Sequence, residues 1–151
     1  MTAATNIVIP DNKEIVQRST STSCRQYQLS TATSCLNARL VKGGPTDGDA
    51  IICTDENASA LGFIVRDETL AAVRENDRTT AYSTNDVVAV CNGPGTKVVA
   101  YSEGAVTQGN KMVPGSSGAV KAFSADAANI IVCKAEQTLT AAGFLVVTLL
   151  I

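Results

Sequence analysis

Five cysteines, at positions 24, 35, 53, 91 and 133, are the most reactive side chains in the sequence, and histidine is absent. Without histidine there is no Ser-His-Asp or Cys-His relay, and none of the usual zinc ligand sets except all-cysteine ones. No two cysteines form a CxxC pair, and an odd number cannot close a complete disulfide framework. The expected role of these thiols is that of small buried hydrophobes in a reducing compartment. Asp47, Asp49, Asp55 and Glu56 cluster in "DGDAIICTDE", but the ligand spacing, glycine bend and terminal glutamate of a calcium loop are missing. These are read as surface turn carboxylates. "NGPGTK" (92–97) lacks the GxxxxGK[ST] spacing and a following helix that would present N–H groups to phosphate. It is read as a hairpin turn. A paired-carboxylate glycosidase would need only two acids brought together by the fold. Three Tyr, three Phe and no Trp give little support for sugar stacking. The expectation is a binding protein, not an enzyme, with no catalytic residue, metal site or cofactor.

The elements around these residues are short and β-prone. At 151 residues the chain fits one domain with a real core. Apolar residues make up 45% of it and charged residues only 17%, which argues against global disorder. Aromatics are scarce, so the core must come from Val, Ile, Leu and Ala. A net charge of −2 gives no electrostatic reason to expect nucleic-acid binding. "DAIICT", "ALGFIVR", "DVVAVCN", "TKVVAYS", "GAVKAF", "NIIVCKA" and "GFLVVTLLI" read as strands. "KGGPTDGD", "NGPGT" and "VPGSSG" read as turns between them. This pattern predicts an all-β fold, a small barrel or sandwich, with at most one short helix. "RDETLAAVRENDR" (66–78) fits either a short surface helix or a polar edge strand. "GFLVVTLLI" is apolar on both faces and predicts a central, covered strand. It is too short to span a membrane as a helix. No basic segment followed by an apolar run marks a signal peptide, so a soluble protein made in cytoplasm is expected.

Residues 1–39 stand apart in composition. "NIVIP" is followed by the Ser/Thr-rich "RSTSTSCRQYQLSTATSC". Lys13, Arg18, Arg25 and Arg39 outnumber Asp11 and Glu14. Low hydrophobicity offers little burial to offset ordering entropy. The predicted organisation is therefore an extended arm over 1–39 and a β-rich domain over 40–151. Such an arm is either a free tail or a segment that orders against a partner. Ile7, Val8 and Ile9 could add a strand to a neighbour's sheet edge. Arg18, Arg25 and Arg39 are candidate contacts to an acidic surface.

The chain also echoes itself. "LVKGGPTDG" (40–48) resembles "MVPGSSGAV" (112–120), and "LGFIVRDETLAA" (61–72) resembles "IVCKAEQTLTAA" (131–142). Duplicated halves and coincidence among short Gly, Ala and Val-rich strings both account for this.

The stretch "AVTQGNKMVPGSSGAVKAFSADAANIIVCKAEQTLTAAGFLVVTLLI" resembles the C-terminal half of tailed-bacteriophage head decoration proteins, the capsid cement proteins. Gly109-Asn110-Lys111-Met112 fits the family's G-[DN]-x-[VL] element, and Gly118-Ala119-Val120 the glycine turn and strand after it. Ile131 to Ala135 fits the next strand, and Ala142-Gly143 leading to Val146, Val147 and Leu149 fits the last. The likeness is good over 85–151, loose over 40–84 and absent from 1–39. Cys133 stands where the family often has glycine. The resemblance implies a β-tulip domain that binds the outside of an assembled icosahedral capsid and stabilises it. It implies the major capsid protein and neighbouring subunits as partners, commonly in a homotrimer, with no membrane or nucleic acid involved. Ile7, Val8, Ile9, Arg18, Arg25 and Arg39 would then be the capsid or neighbour contacts. The alternative is a small-ligand-binding β-barrel without a virion role, which predicts a defined apolar pocket.

Overall fold

The computed structural model describes residue 9 and residues 14–31, 35–54, 59–65, 81–124 and 130–151. Among these residues there are eleven strands and one 3-10 turn: β1 (Ile15–Gln17), β2 (Ser23–Thr31), β3 (Leu40–Gly43), β4 (Asp49–Ile52), β5 (Ala60–Val65), β6 (Val87–Asn92), β7 (Lys97–Ser102), β8 (Lys111–Pro114), the turn Ser116–Gly118, β9 (Val120–Ala122), β10 (Cys133–Ala135) and β11 (Gly143–Leu149). All seven strands expected from the Val/Ile-rich runs are present. The fold is all-β, as expected. The segment 66–78, helix or edge strand on sequence, lies outside the described residues.

The strands form two sheets. The first is a closed barrel in the order β2-β4-β3-β5-β6. The second runs β1-β7-β11-β10-β8-β9, and a parallel pairing of β7 with β9 at Ser102 and Val120 closes β7, β11, β10, β8 and β9 into a second barrel, with β1 added outside it on β7. Strands β7 to β11 thus repeat the plan of β2 to β6. Each set has one parallel pair, β2–β4 or β7–β9. Each has four antiparallel pairs at matching places: β2–β6, β3–β4, β3–β5 and β5–β6 in one, and β7–β11, β8–β9, β8–β10 and β10–β11 in the other. The register matches as well. Leu40 stands opposite Phe63, and Met112 stands opposite Cys133. The two sequence echoes align these same residues, which favours duplicated halves over coincidence.

β11 lies between β7 and β10, so the apolar C-terminal run is a central strand paired on both sides. One core draws on both barrels. It contains Leu40, Phe63, Val65 and Cys91 from the first and Val98, Met112, Cys133, Leu145 and Val147 from the second. A second core, with Leu29, Val41, Ile64, Val88 and Val90, belongs to the first barrel alone, joined by Cys35 and Tyr82. Alternation along β5 and β6 feeds both: Phe63 and Ala89 point to the shared core, Ile64 and Val90 to the other. Four of the five cysteines are buried and Cys24 is half-buried; all are free thiols.

The division at residue 40 does not follow the sheet pairing. β2 pairs with β6 over six residues and with β4, and Leu29 is fully buried. β1 pairs with β7, and the buried Glu14 accepts a bond from the Val99 N–H at 2.7 Å. The Ser/Thr composition that suggested an arm works here as turn chemistry and as bonds between two turns. Ser19 Oγ donates to Pro94 O at 2.8 Å, and Thr22 Oγ1 lies 2.6 Å from Thr96 Oγ1. Residues 14–31 therefore belong to the sheets. The rest of the expected arm before residue 14, apart from the half-buried Ile9, lies outside the described residues.

"NGPGTK" is a turn, but not a hairpin. Thr96 N–H donates to Gly93 O at 3.1 Å, closing the turn, while β6 and β7 on either side belong to different sheets. It is the joint between the two halves. Gly93 has φ +115, and a Cβ there would fall on the Ser21 carbonyl. The Ser19–Thr22 turn packs that closely against the joint.

Candidate binding cleft between the barrels

The described arginines among the sequence-predicted contact residues are not gathered at one place. Ile7 and Val8 lie outside the described residues, and Ile9 is half-buried. Arg18 is exposed, its Nη1 donating to Cys24 Sγ at 3.9 Å. Arg25 is exposed on β2, opposite Val90 of β6. Arg39 stands elsewhere, half-buried where the two barrels meet.

Backbone bonds fix the segment that carries Arg39. Ala38 N–H donates to Ile64 O and Ile64 N–H donates to Arg39 O, both at 2.8 Å, tying it to β5. Tyr101 N–H donates to Ala38 O at 3.2 Å, tying it also to β7 of the other sheet. Ala38 has φ +66, a left-handed conformation that costs an alanine about 1 kcal/mol. Its methyl group is fully buried, and that packing holds the residue in place.

The guanidinium carbon of Arg39 then lies over the Tyr101 ring, with Phe144 beside it. This Cζ is 4.2 Å from the Tyr101 ring centroid and 5.6 Å from that of Phe144. The two rings meet edge to face at 5.2 Å. Cation–π stacking of this kind contributes on the order of 1 kcal/mol when partly desolvated. Burial draws the Arg39 pKa below its ordinary value, and Tyr101 pushes it back up. An arginine stays charged regardless. Nη1 is enclosed and has no hydrogen-bond partner.

The facing wall comes from the second barrel. Glu103 is anchored by its own N–H, which donates to Val120 O at 2.9 Å. Its carboxylate is turned to the Ser116–Gly118 turn, where Oε2 accepts from Ser116 Oγ at 2.8 Å. Ser117, next along, has φ +51. Gly118 has φ +77, and a Cβ there would come within 2.9 Å of Arg39 Cβ and strike Ile52. Only glycine lets this turn close onto the Arg39 segment. Between the walls lies a cleft of about 280 Å³ lined by Leu36, Arg39, Tyr101, Glu103, Ser116, Ser117 and Ala119. Ser117, which lines it, and Ala38, the chain neighbour of the lining Arg39, are two of three non-glycine residues with positive φ among those described. A second hollow, of about 220 Å³, is lined by Thr31, Lys42, Ile51, Ile52 and Thr54, none of them buried.

Sequence reasoning placed Arg39 among contact residues but missed Tyr101, Glu103, Ser117 and Phe144. The only signal for them was the turn chemistry of "VPGSSG", which does not reveal what the turn faces. Among the described residues no three Cys, Asp or Glu side chains gather as a metal site. The cleft offers a stacked cation, hydroxyls and one carboxylate: a set suited to recognition.

No protein-family model and no curated protein matches the chain. Among solved structures it is similar to the head fiber gp8.5 N base in bacteriophage phi29. The TM-score is 0.56 at 8% identity, over 85% of this chain and 93% of that one. At that identity the likeness is one of fold, and it extends over nearly all of the phage protein's chain.

Proposed function

We propose that this protein is a non-catalytic structural component of a bacteriophage virion that binds the outside of the assembled capsid and stabilises it. The observation that carries this reading is the fold shared with a phage head fiber base over 85% of the chain. The sequence resemblance to head decoration proteins, drawn from other residues and other arguments, supports the same role. In this reading the partners are the major capsid protein and neighbouring copies in a homotrimer, and synthesis takes place in the host cytoplasm. Ile7, Val8, Ile9, Arg18 and Arg25 are contacts to the capsid or a neighbour, with Arg39 at the cleft. No cofactor, nucleic acid or membrane is required. Affinity per subunit can be modest, because many copies and shared contacts multiply it.

The test is co-sedimentation with expanded heads that lack the protein. The full chain is compared with one beginning at Glu14, which keeps both sheets. Saturable binding by both supports the role and places the contact in the barrels. Binding by the full chain alone supports it and assigns the contact to residues 1–13. Absence of binding to any shell overturns it.

A further inference from the structure

We infer that the cleft between the barrels is a carboxylate-binding site with Arg39 as its recognition residue, and that its occupant is an acidic side chain of the capsid protein. The identity of the occupant rests on the function proposed above; the chemistry of the site rests on the cleft itself.

Three independent observations point to it. The first is an unmet hydrogen-bonding demand. Arg39 Nη1 is enclosed without a partner, and no ion pair joins Arg39 to Glu103. A guanidinium presents five donors in a planar fork that matches a carboxylate. The Tyr101 ring, 4.2 Å from Cζ, accepts no conventional hydrogen bond, so that contact leaves the demand of Nη1 unmet. The second is preparation of the opposite wall. Ser116 Oγ holds the Glu103 carboxylate on its own turn, so the resident acid is occupied away from the cation. The third is strain. Ser117, which lines the cleft, and Ala38, the chain neighbour of Arg39, are both in the left-handed region. Strain of that kind gathers where a site must be held in shape. An incoming carboxylate would meet Arg39 on one side and the exposed Ser117 on the other. A single acidic residue fits 280 Å³.

The experiment titrates the full 151-residue chain with N-acetyl-glutamate methylamide, at fixed ionic strength, following amide shifts of Ala38, Tyr101 and Ser117. N-acetyl-glutamine methylamide is the uncharged control. The site predicts saturable shifts at these three residues, about tenfold weaker with the glutamine probe. Arg39→Met keeps the apolar stem and should abolish saturation. Arg39→Lys keeps the charge but not the fork, and should weaken it about fivefold. Equal response to the two probes, no saturation, or undiminished saturation in either variant overturns the site. Head co-sedimentation separates the two readings. Saturation by the glutamate probe with head binding unaffected by Arg39→Lys keeps the site and overturns the capsid protein as its occupant. Head binding without saturation overturns the site and leaves the capsid role standing.

Discussion

Cys24 and Cys91 stand directly opposite each other across the antiparallel β2–β6 ladder. The Leu29 N–H donates to Asp86 O at 2.9 Å, so hydrogen-bonded pairs fall at odd-numbered positions of β2. Cys24 and Cys91 form one of the intervening pairs, where Cα atoms approach to about 4.5 Å and side chains are closest. That spacing is at the short end of the range a disulfide spans.

Mild oxidation of the native protein with diamide should therefore join Cys24 to Cys91 in preference to any other pair. Mass spectrometry should show the loss of two hydrogens and a cross-linked peptide containing both residues. The link closes a long loop and should raise unfolding free energy by about 2–4 kcal/mol, less any strain of the tight geometry. Alkylation of Cys24 alone after diamide treatment, with no cross-link, would contradict the register.

Gly93→Ala should be among the most costly small substitutions in the chain. The new methyl group would fall on the Ser21 carbonyl, at a φ of +115. A loss of about 2–3 kcal/mol is expected, with the Ser19–Thr22 turn displaced from the joint. Gly104→Ala provides the contrast, because nothing lies within 4 Å of its Cβ position. Its midpoint in urea should change by no more than about 0.5 kcal/mol equivalent. Similar losses at the two sites would refute the close approach.

The shared core predicts that the two halves unfold together. Leu145 of β11 is fully buried in the cluster that also holds Leu40, Phe63 and Cys91 of the first barrel. Leu145→Ala should cost about 2–5 kcal/mol and destabilise both sheets equally. Hydrogen exchange reads this directly: amides of Val88–Val90 and Val98–Ala100 should open at the same free energy in wild type and variant. Protection that survives in β6 after β7 has opened would show two independent units.

What the sequence made legible follows from how each element is stabilised. Val/Ile runs such as "DVVAVCN" and "TKVVAYS" announce strands because burial sets their composition. β2 was missed because Arg25, Gln26 and Gln28 are exposed on it and its hold on the barrel is mostly main-chain pairing. Such pairing leaves little trace in residue type. β3 and β8 were absorbed into the glycine-rich turns that follow them. Yet the likeness between these two segments was visible, and it proved to mark the duplicated plan. The cleft was the least legible feature. Arg39, Tyr101 and Ser117 are far apart in the chain, and only the joining of two barrels brings them together.

Cys35 gives the protein an alkaline limit. Burial pushes its thiol up from 9.0 to about 11, partly offset by the Ile52 backbone. Burial acts in the same direction on Cys133, without an offsetting contact. Between pH 9.0 and about 11 the unfolded chain has released a proton that folded Cys35 still holds, so rising pH favours unfolding across that window. The contribution is fully present below the unfolded value and is lost as pH passes through the folded one. Urea midpoints should fall more steeply over this range in wild type than in Cys35→Ala, and the two slopes should agree below about pH 8. At pH 8 both thiols should resist Ellman's reagent until the protein is unfolded, since the thiolate is the reactive form. Equal alkaline slopes in the two proteins, or rapid native labelling of Cys35, would contradict its burial.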